Sequence, residues 1–321
     1  MHRIVVAACF LLACGSENTP PPGSGGGGAG TGGGGGSTPI LDPALFDCTA
    51  PPPERVSTTP IGCGLDPTCR TPQVAAHRGA GGQLGKIAPE DTLAAYRAGI
   101  ALGVDYVETD PRPTADGVIV NIHDDTVDRT TNGSGKVDEL TFDAIRALEV
   151  KADAFAGDFG CEKIPTLEEI LETCRGKVVV LVDANKTDRV DLLVAAIQNT
   201  DSIDWAIFDT SSVAKIDEAL ALEPTLHTMI RVDTLSQASD QLDHFAAHPP
   251  VIVEIDSAAP IEEIAAEVHA RGNRAFTDVF GFDLAAFTDD DPSHYVGAFD
   301  RGLDIVQTDR PDLVLESLGR R

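Results

Sequence analysis

The chain has 321 residues, and 51 Asp and Glu against 24 Lys and Arg give a formal charge of −27 and a pI near 4.4. An acidic excess of that size is repelled by phosphate backbones, which excludes nucleic-acid binding and a polybasic membrane patch, and any anionic substrate needs a locally positive site. Apolar residues at 42% and charged residues at 23% leave room for a globular core of roughly 250 residues plus appendages, and no apolar run reaches the length of about 18 residues that a membrane-spanning helix needs.

The N-terminus reads MHRIVVAACFLLACGS: one Arg, the short apolar stretch Ile4 to Ala13, then Cys14. A charged start followed by an apolar stretch too short to span is an export signal, predicted over residues 1–13. Leu11-Leu12-Ala13-Cys14 resembles the bacterial lipoprotein box, which implies a lipid on Cys14; an ordinary signal peptide with a coincidental Cys is the alternative. Gly15 after the Cys resembles the sorting pattern for the outer membrane. Residues 14–39 then hold GSGGGGAGTGGGGG between Pro20 to Pro22 and Pro39, a composition predicted to be a disordered linker. A coil of about 25 such residues spans about 28 Å, enough to tether a folded domain to a bilayer. The sequence therefore predicts an exported, membrane-anchored lipoprotein with a Cys-containing extension over 40–71 and a folded domain over 72–321.

Cysteines stand at 9, 14, 48, 63, 69, 161 and 174. Export removes Cys9 and lipid occupies Cys14, so five remain in an oxidising compartment. Cys63 and Cys69 bracket GLDPT, whose Asp-Pro is a turn signal, and are the expected local disulfide. Cys161 and Cys174 flank a predicted helix of about 15 Å, too long for a bridge unless the chain before it doubles back. Unpaired thiols or pairing with Cys48 stand as alternatives.

From residue 72 the pattern becomes strand and helix in alternation. Apolar runs occur at Val74 to Ala76, Val104 to Val107, Val178 to Val182, Trp205 to Phe208, Leu226 to Ile230, Val251 to Ile255, Ala275-Phe276 and Ile305-Val306. Between them Thr92 to Leu102, Leu167 to Cys174, Val190 to Ile197, Val213 to Leu222 and Ile261 to Ala270 carry helical periodicity. Alternation predicts an α/β fold with a parallel sheet, and about eight units match a (β/α)8 TIM barrel. An open doubly wound sheet is the alternative, but no GxGxxG follows the first strand. Trp205 is read as core.

A barrel carries chemistry at the carboxyl ends of its strands. There the sequence places AHRGAGG, YVETD and VVVLVDANK, with VIVNIHDD nearby. In Glu108-Thr109-Asp110 the two acids face the same way because strand side chains alternate. Two carboxylates so close repel unless one protonates or a cation lies between them. Asp183 supplies a third, and an all-oxygen set suits Mg²⁺ or Ca²⁺. Acids solvated on an exposed edge are the plain alternative. His77 and His123 are candidate acid and base, and Arg78 offers a planar fork for phosphate oxygens. His227, His244, His248, His269 and His294 lack acidic partners at motif spacing and are read as structural or surface.

The runs AHRGAGG, APEDTLAAYRAGIALGVDYVETDPRPTADGVIVNIHDDTVDRTTNGSGKVDELT, IPTLEEIL and VQTDRPDLV resemble the glycerophosphodiester phosphodiesterase family over about residues 74 to 316. The resemblance implies a (β/α)8 barrel and metal-dependent hydrolysis of glycerophosphodiesters to glycerol 3-phosphate and an alcohol. It implies His77 and His123 as the acid/base pair, Arg78 as phosphate clamp, Glu108 and Asp110 as metal ligands, and Glu90 at the same metal or substrate site.

Three departures stand out. The family's PENT reads Pro89-Glu90-Asp91-Thr92, where Asp91 is expected to cap the helix and adds a charge beside an anionic site. The third-strand ExK reads Asp183-Ala184-Asn185. Asn185 cannot replace a cation, and Lys186, a candidate substrate-binding residue, is expected on the opposite face unless the chain twists. The seventh-strand aromatic is Phe276 rather than Trp, followed by Thr277-Asp278. The alternatives are a phospholipase D-type lyase or hydrolase acting on lysolipids, and a lipoprotein that binds phosphodiesters without cleaving them.

Overall fold

The computed structural model describes residues 40–321. The expectations for residues 1–39, the export signal, the lipidated Cys14 and the Gly/Pro linker, lie outside the described residues.

In chain order the elements are β1 (Gln73–Ala76), α1 (Leu93–Leu102), β2 (Tyr106–Thr109), β3 (Pro111–Pro113), β4 (Ile119–Asn121), α2 (Phe142–Arg146), α3 (Leu167–Cys174), β5 (Val179–Asp183) and α4 (Val190–Asn199). There follow β6 (Ala206–Thr210), α5 (Val213–Leu222), β7 (His227–Val232), α6 (Leu235–His244), β8 (Ile252–Ile255), α7 (Ile261–Ala270), β9 (Arg274–Asp278), α8 (Phe280–Ala286), β10 (Ile305–Thr308) and α9 (Pro311–Ser317). Eight strands pair in parallel and close on themselves in the order β1-β10-β9-β8-β7-β6-β5-β2. That closure is the barrel the alternation predicts, and it removes the open-sheet alternative. The remaining two strands form an antiparallel hairpin, β3 with β4, inside an insertion between β2 and β5 that the alternation did not reveal. It has its own small core of Val120, Ile122, Val127, Val137, Ile145 and Ile164.

Helix starts follow local chemistry. Thr92 caps α1 through Ala95 N, and Thr166 with Glu169 forms a reciprocal capping box on α3. Outward strand residues such as Val180, Val182, Phe208, Ile230 and Val253 pack under the helices. Inward residues Ala75, Tyr106, Val179, Leu181, Ile207, Met229, Ile252, Phe276 and Ile305 fill the barrel.

The extension before β1 closes the amino end of the barrel. Tyr106 donates its hydroxyl to Gly64 O at 2.9 Å, and Arg274 donates to Cys63 O at 2.9 Å. Gly64 is required there: a Cβ would lie 2.8 Å from Val179. The expected Cys63–Cys69 disulfide is present. Cys161 pairs with Cys48, Cα atoms 5.8 Å apart, and ties the extension to the segment before α3. Cys174 is buried and free, because α3 runs straight and carries it a full helix length from Cys161. Trp205 corrects the expectation of a core residue: it lies half-buried in a 3₁₀ turn, and β6 begins one residue later.

Candidate active site

Each inward row of the barrel turns polar at its carboxyl end. Alternation continues Ala75 to His77, Tyr106 to Glu108 and Asp110, and Leu181 to Asp183. Glu108, Asp110 and Asp183 are all buried, and each offers a carboxylate oxygen within 4.8 Å of the others. Burial, then the charges of Asp110 and Asp183, pushes the Glu108 carboxyl well above its ordinary range. Oδ2 of Asp110 is buried and accepts no hydrogen bond. A shared cation answers both observations, since it lowers the repulsion and occupies the orphan oxygen. These three residues therefore fit a divalent metal with hard oxygen ligands.

Arg78 follows β1 with a left-handed backbone, φ 52°. Its amide donates to Glu108 Oε2 at 3.1 Å, while its guanidinium meets Glu90 at 2.7 Å and Asp110 at 3.4 Å. Against its burial, hydrogen bonds from Arg129 and the charge of Arg78 hold the Glu90 carboxyl below its usual range. Lys186 corrects the expectation that it faces away. A 3₁₀ turn over Ala184–Lys186 swings it inward, and its Nζ lies 3.1 Å from Asp110 Oδ1. Asn185 instead donates back to Asp183 and accepts from Thr210 and Ser211, locking that turn.

The two imidazoles are each held by a carboxylate through Nδ1. His77 Nδ1 lies 2.6 Å from Asp309, and its Nε2 is 4.0 Å from Glu108. Asp309 also accepts from Gly82 N and Leu84 N, both at 2.9 Å. A Cβ on Gly82 would lie 2.6 Å from Asp309 and 2.7 Å from His77, so this loop tolerates only glycine there. His123 Nδ1 lies 2.9 Å from Asp124, which is gripped by Arg129, which in turn forms two bonds to Glu90. Burial lowers the His123 pKa, partly opposed by Asp110 and by the bond to Asp124.

Asp91 corrects the expectation of a helix cap, the role taken by Thr92. It is buried with φ 61°, accepts from His123 N at 3.0 Å and from Asn121 at 2.7 Å, and so places the His123 backbone. Burial, then the charges of Asp110 and Glu90, raises its pKa well above the ordinary carboxylate value.

The eight residues singled out from sequence thus reach one rim, with His123 joined to the rest through Asp124, Arg129 and Glu90. Sequence reasoning missed Asp309 and Arg129, although both stand inside the quoted runs VQTDRPDLV and VDRTTN. It also missed Arg231, which ion-pairs with Asp209, with Glu254 at 2.9 Å and with Asp183 at 3.3 Å. The signal was the same inward alternation, one residue beyond the apolar run ending at Ile230. Three of the five histidines read as structural or surface have acidic partners in space but touch none of these residues: His244 with Asp217, His269 with Asp304 and His294 with Asp289.

The sequence pattern of the "Glycerophosphoryl diester phosphodiesterase family" matches residues 77–313. A putative glycerophosphodiester phosphodiesterase of Bacillus subtilis is 41% identical over 110 residues, 34% of this chain and 43% of its own length. Human glycerophosphodiester phosphodiesterase 1 is 44% identical over 118 residues, 34% of each chain. The matched segment therefore spans less than half of these relatives. Among solved structures, a glycerophosphodiester phosphodiesterase from Agrobacterium tumefaciens is 27% identical with a TM-score of 0.60, covering 76% of this chain and 99% of its own. An Oleispira antarctica phosphodiesterase in complex with sn-glycerol-3-phosphate shares the fold, with a TM-score of 0.63 at 24% identity over 78% of this chain and 97% of that one. A match running from His77 to Leu313 takes in every residue of the rim described above and, on a closed barrel shared with those structures, identifies the chain as a member of the glycerophosphoryl diester phosphodiesterase family.

Proposed function

We propose that the protein hydrolyses glycerophosphodiesters to glycerol 3-phosphate and an alcohol with the help of a divalent cation, Mg²⁺ or Ca²⁺. The observation that carries this reading is the meeting of three buried carboxylates with two cationic side chains and an imidazole at one strand-end rim. Glu108, Asp110 and Asp183 would hold the cation, which when bound supplies Lewis-acid polarisation of a phosphate oxygen. With the cation bound, Arg78 and Lys186 would offset the acids of the rim and bind and orient the remaining phosphate oxygens. Glu90 aims Arg78, and Asp309 and Asp124 fix the ring orientations of His77 and His123. One imidazole takes the proton of the attacking water and the other delivers a proton to the leaving alcohol as its bond to phosphorus breaks; where the glycerol 2-hydroxyl attacks first, the cyclic phosphate it forms is opened by water in a second step. Burial lowers the His123 pKa below the ordinary imidazole value, which favours the neutral ring as the proton acceptor.

The test is turnover of glycerophosphocholine read as glycerol 3-phosphate release. Activity that stops with EDTA and returns with Mg²⁺ or Ca²⁺ supports the reading. Binding of the diester with no turnover under any divalent ion would refute hydrolysis, and a cyclic phosphate from lysophosphatidylcholine as the main product would indicate lysolipid chemistry instead. We further propose, from residues 1–39 alone, an exported protein anchored to the outer membrane through a lipid on Cys14; metabolic labelling with a radioactive fatty acid, lost in Cys14→Ser, tests it.

A further inference from the structure

Helix α8 packs Phe282 inward against Tyr295 but turns its other large apolar side chains outward. Phe280, Leu284 and Phe287 recur at i, i+4 and i+7 and so share one face, and that face points to solvent at 51%, 59% and 42% exposure. Asp283 and Ala286 on the opposite side are buried, with Asp283 accepting from Tyr295 and Thr308. Val296, 73% exposed, follows shortly after. These are four of the seven exposed large apolar side chains among the described residues, gathered in 17 consecutive positions after β9, on the rim that bears the candidate active site.

The patch is joined to that site. Lys86, in the loop between His77 and Glu90, donates to Phe287 O at 3.1 Å and to Asp290 at 2.7 Å, and its ammonium lies 5.2 Å from the Phe287 ring centroid. Arg310, next to Asp309, donates to the same Asp290 oxygen. Whatever seats on α8 is held in a fixed position relative to the barrel mouth.

We propose that this outward face of α8 is a contact surface for a zwitterionic phospholipid bilayer, on which the barrel mouth is presented to the lipid surface. Three observations select that occupant. The exposed side chains offer roughly 400 Å², about half of what each partner of a stable protein pair contributes, which argues against a second copy. Shallow insertion at a lipid interface scales with the apolar area buried and needs no interlocking partner surface, so a patch of this size can support it. The charged border is acidic, with Asp289 and Asp291 exposed and the nearby cations Lys86 and Arg310 both tied to Asp290, which repels anionic lipid and nucleic acid alike.

The test uses the chain from residue 14 onward carrying Cys14→Ser, which keeps every described residue and lacks both the apolar leader and the acylation site. It is sedimented with phosphatidylcholine vesicles beside the same chain with F280S, L284S and F287S. The proposal expects the parent to bind and the triple variant to bind at least tenfold more weakly, with equal melting temperature and equal turnover of soluble glycerophosphocholine. Equal binding by both chains, no binding by the parent, or a concentration-dependent dimer dispersed by the same substitutions would overturn it. Because vesicle binding is read without catalysis, its failure is separate from failure of the proposed hydrolysis.

Discussion

Asp309→Asn is the most searching substitution at this rim, because it preserves shape while breaking a donor and acceptor pattern. Asp309 Oδ1 faces both His77 Nδ1 and the Gly82 amide, and Oδ2 faces the Leu84 amide. All three neighbours donate, and a carboxylate accepts from all three. An Asn in either orientation must aim its own NH₂ at a donor, either at His77 and Gly82 or at Leu84. The bond to His77 is short and charge-assisted, a class contributing about 1.5–3 kcal/mol. If it acts through His77 in the transition state, kcat falls roughly 10- to 150-fold. The amide clash adds a modest stability loss, read as a drop in melting temperature of roughly 2–4 °C per kcal/mol. The assay is kcat on glycerophosphocholine at saturating divalent ion, with cation affinity measured in parallel by calorimetry. Cation affinity stays at the parent value, since the three carboxylates are untouched. A kcat within threefold of the parent, or a loss that follows cation affinity, would refute the assignment of Asp309 as the residue that positions His77.

His123→Ala is expected to lower kcat by about 10² to 10⁴, and the acid limb of kcat/KM in the parent falls below the ordinary imidazole value of about 6.5, because burial disfavours the charged ring; a limb above that value contradicts the burial argument. The disulfides differ in the loops they close, with separations of 113 residues for Cys48–Cys161 and 6 for Cys63–Cys69. Chain entropy then assigns about 5 and about 2 kcal/mol respectively, so C48A/C161A lowers the denaturation midpoint more than C63A/C69A. Burial pushes the Asp283 carboxyl up to about 6, against bonds from Thr308 and Tyr295. Its folded pKa exceeds the unfolded value of about 3.9, so its contribution to stability is full below about pH 4, declines by about 3 kcal/mol up to about pH 6 and is level above. Chemical denaturation across that window shows a shallower decline in Asp283→Asn.

The barrel was legible because period-two alternation and its apolar runs are a local signal. The same signal placed Glu108 and Asp110 on one side and brought Asp183 to the same rim. What escaped the sequence depended on geometry beyond the next residue. Lys186 enters the site through a 3₁₀ turn that alternation cannot anticipate. Asp91 is buried under Asn121 and the His123 amide, whereas its neighbour Thr92 does the capping that either side chain can perform. Pairing with Cys48 was among the alternatives, but spacing could not select it across the 113 residues that separate Cys48 from Cys161. Helix α8 was missed because at seven residues it is too short for periodicity to stand out, and α6 because LSQASDQLDH carries few apolar residues to mark a face.

The central claim is that Glu108, Asp110 and Asp183 hold one divalent ion between them. Calorimetric titration of the EDTA-stripped protein with Ca²⁺ and Mg²⁺ tests it most directly. The account predicts one site per chain, weakened at least tenfold in Asp110→Asn and in Glu108→Gln while the barrel stays folded by circular dichroism. A protein that takes up no ion, or one whose uptake is indifferent to both substitutions, would contradict it.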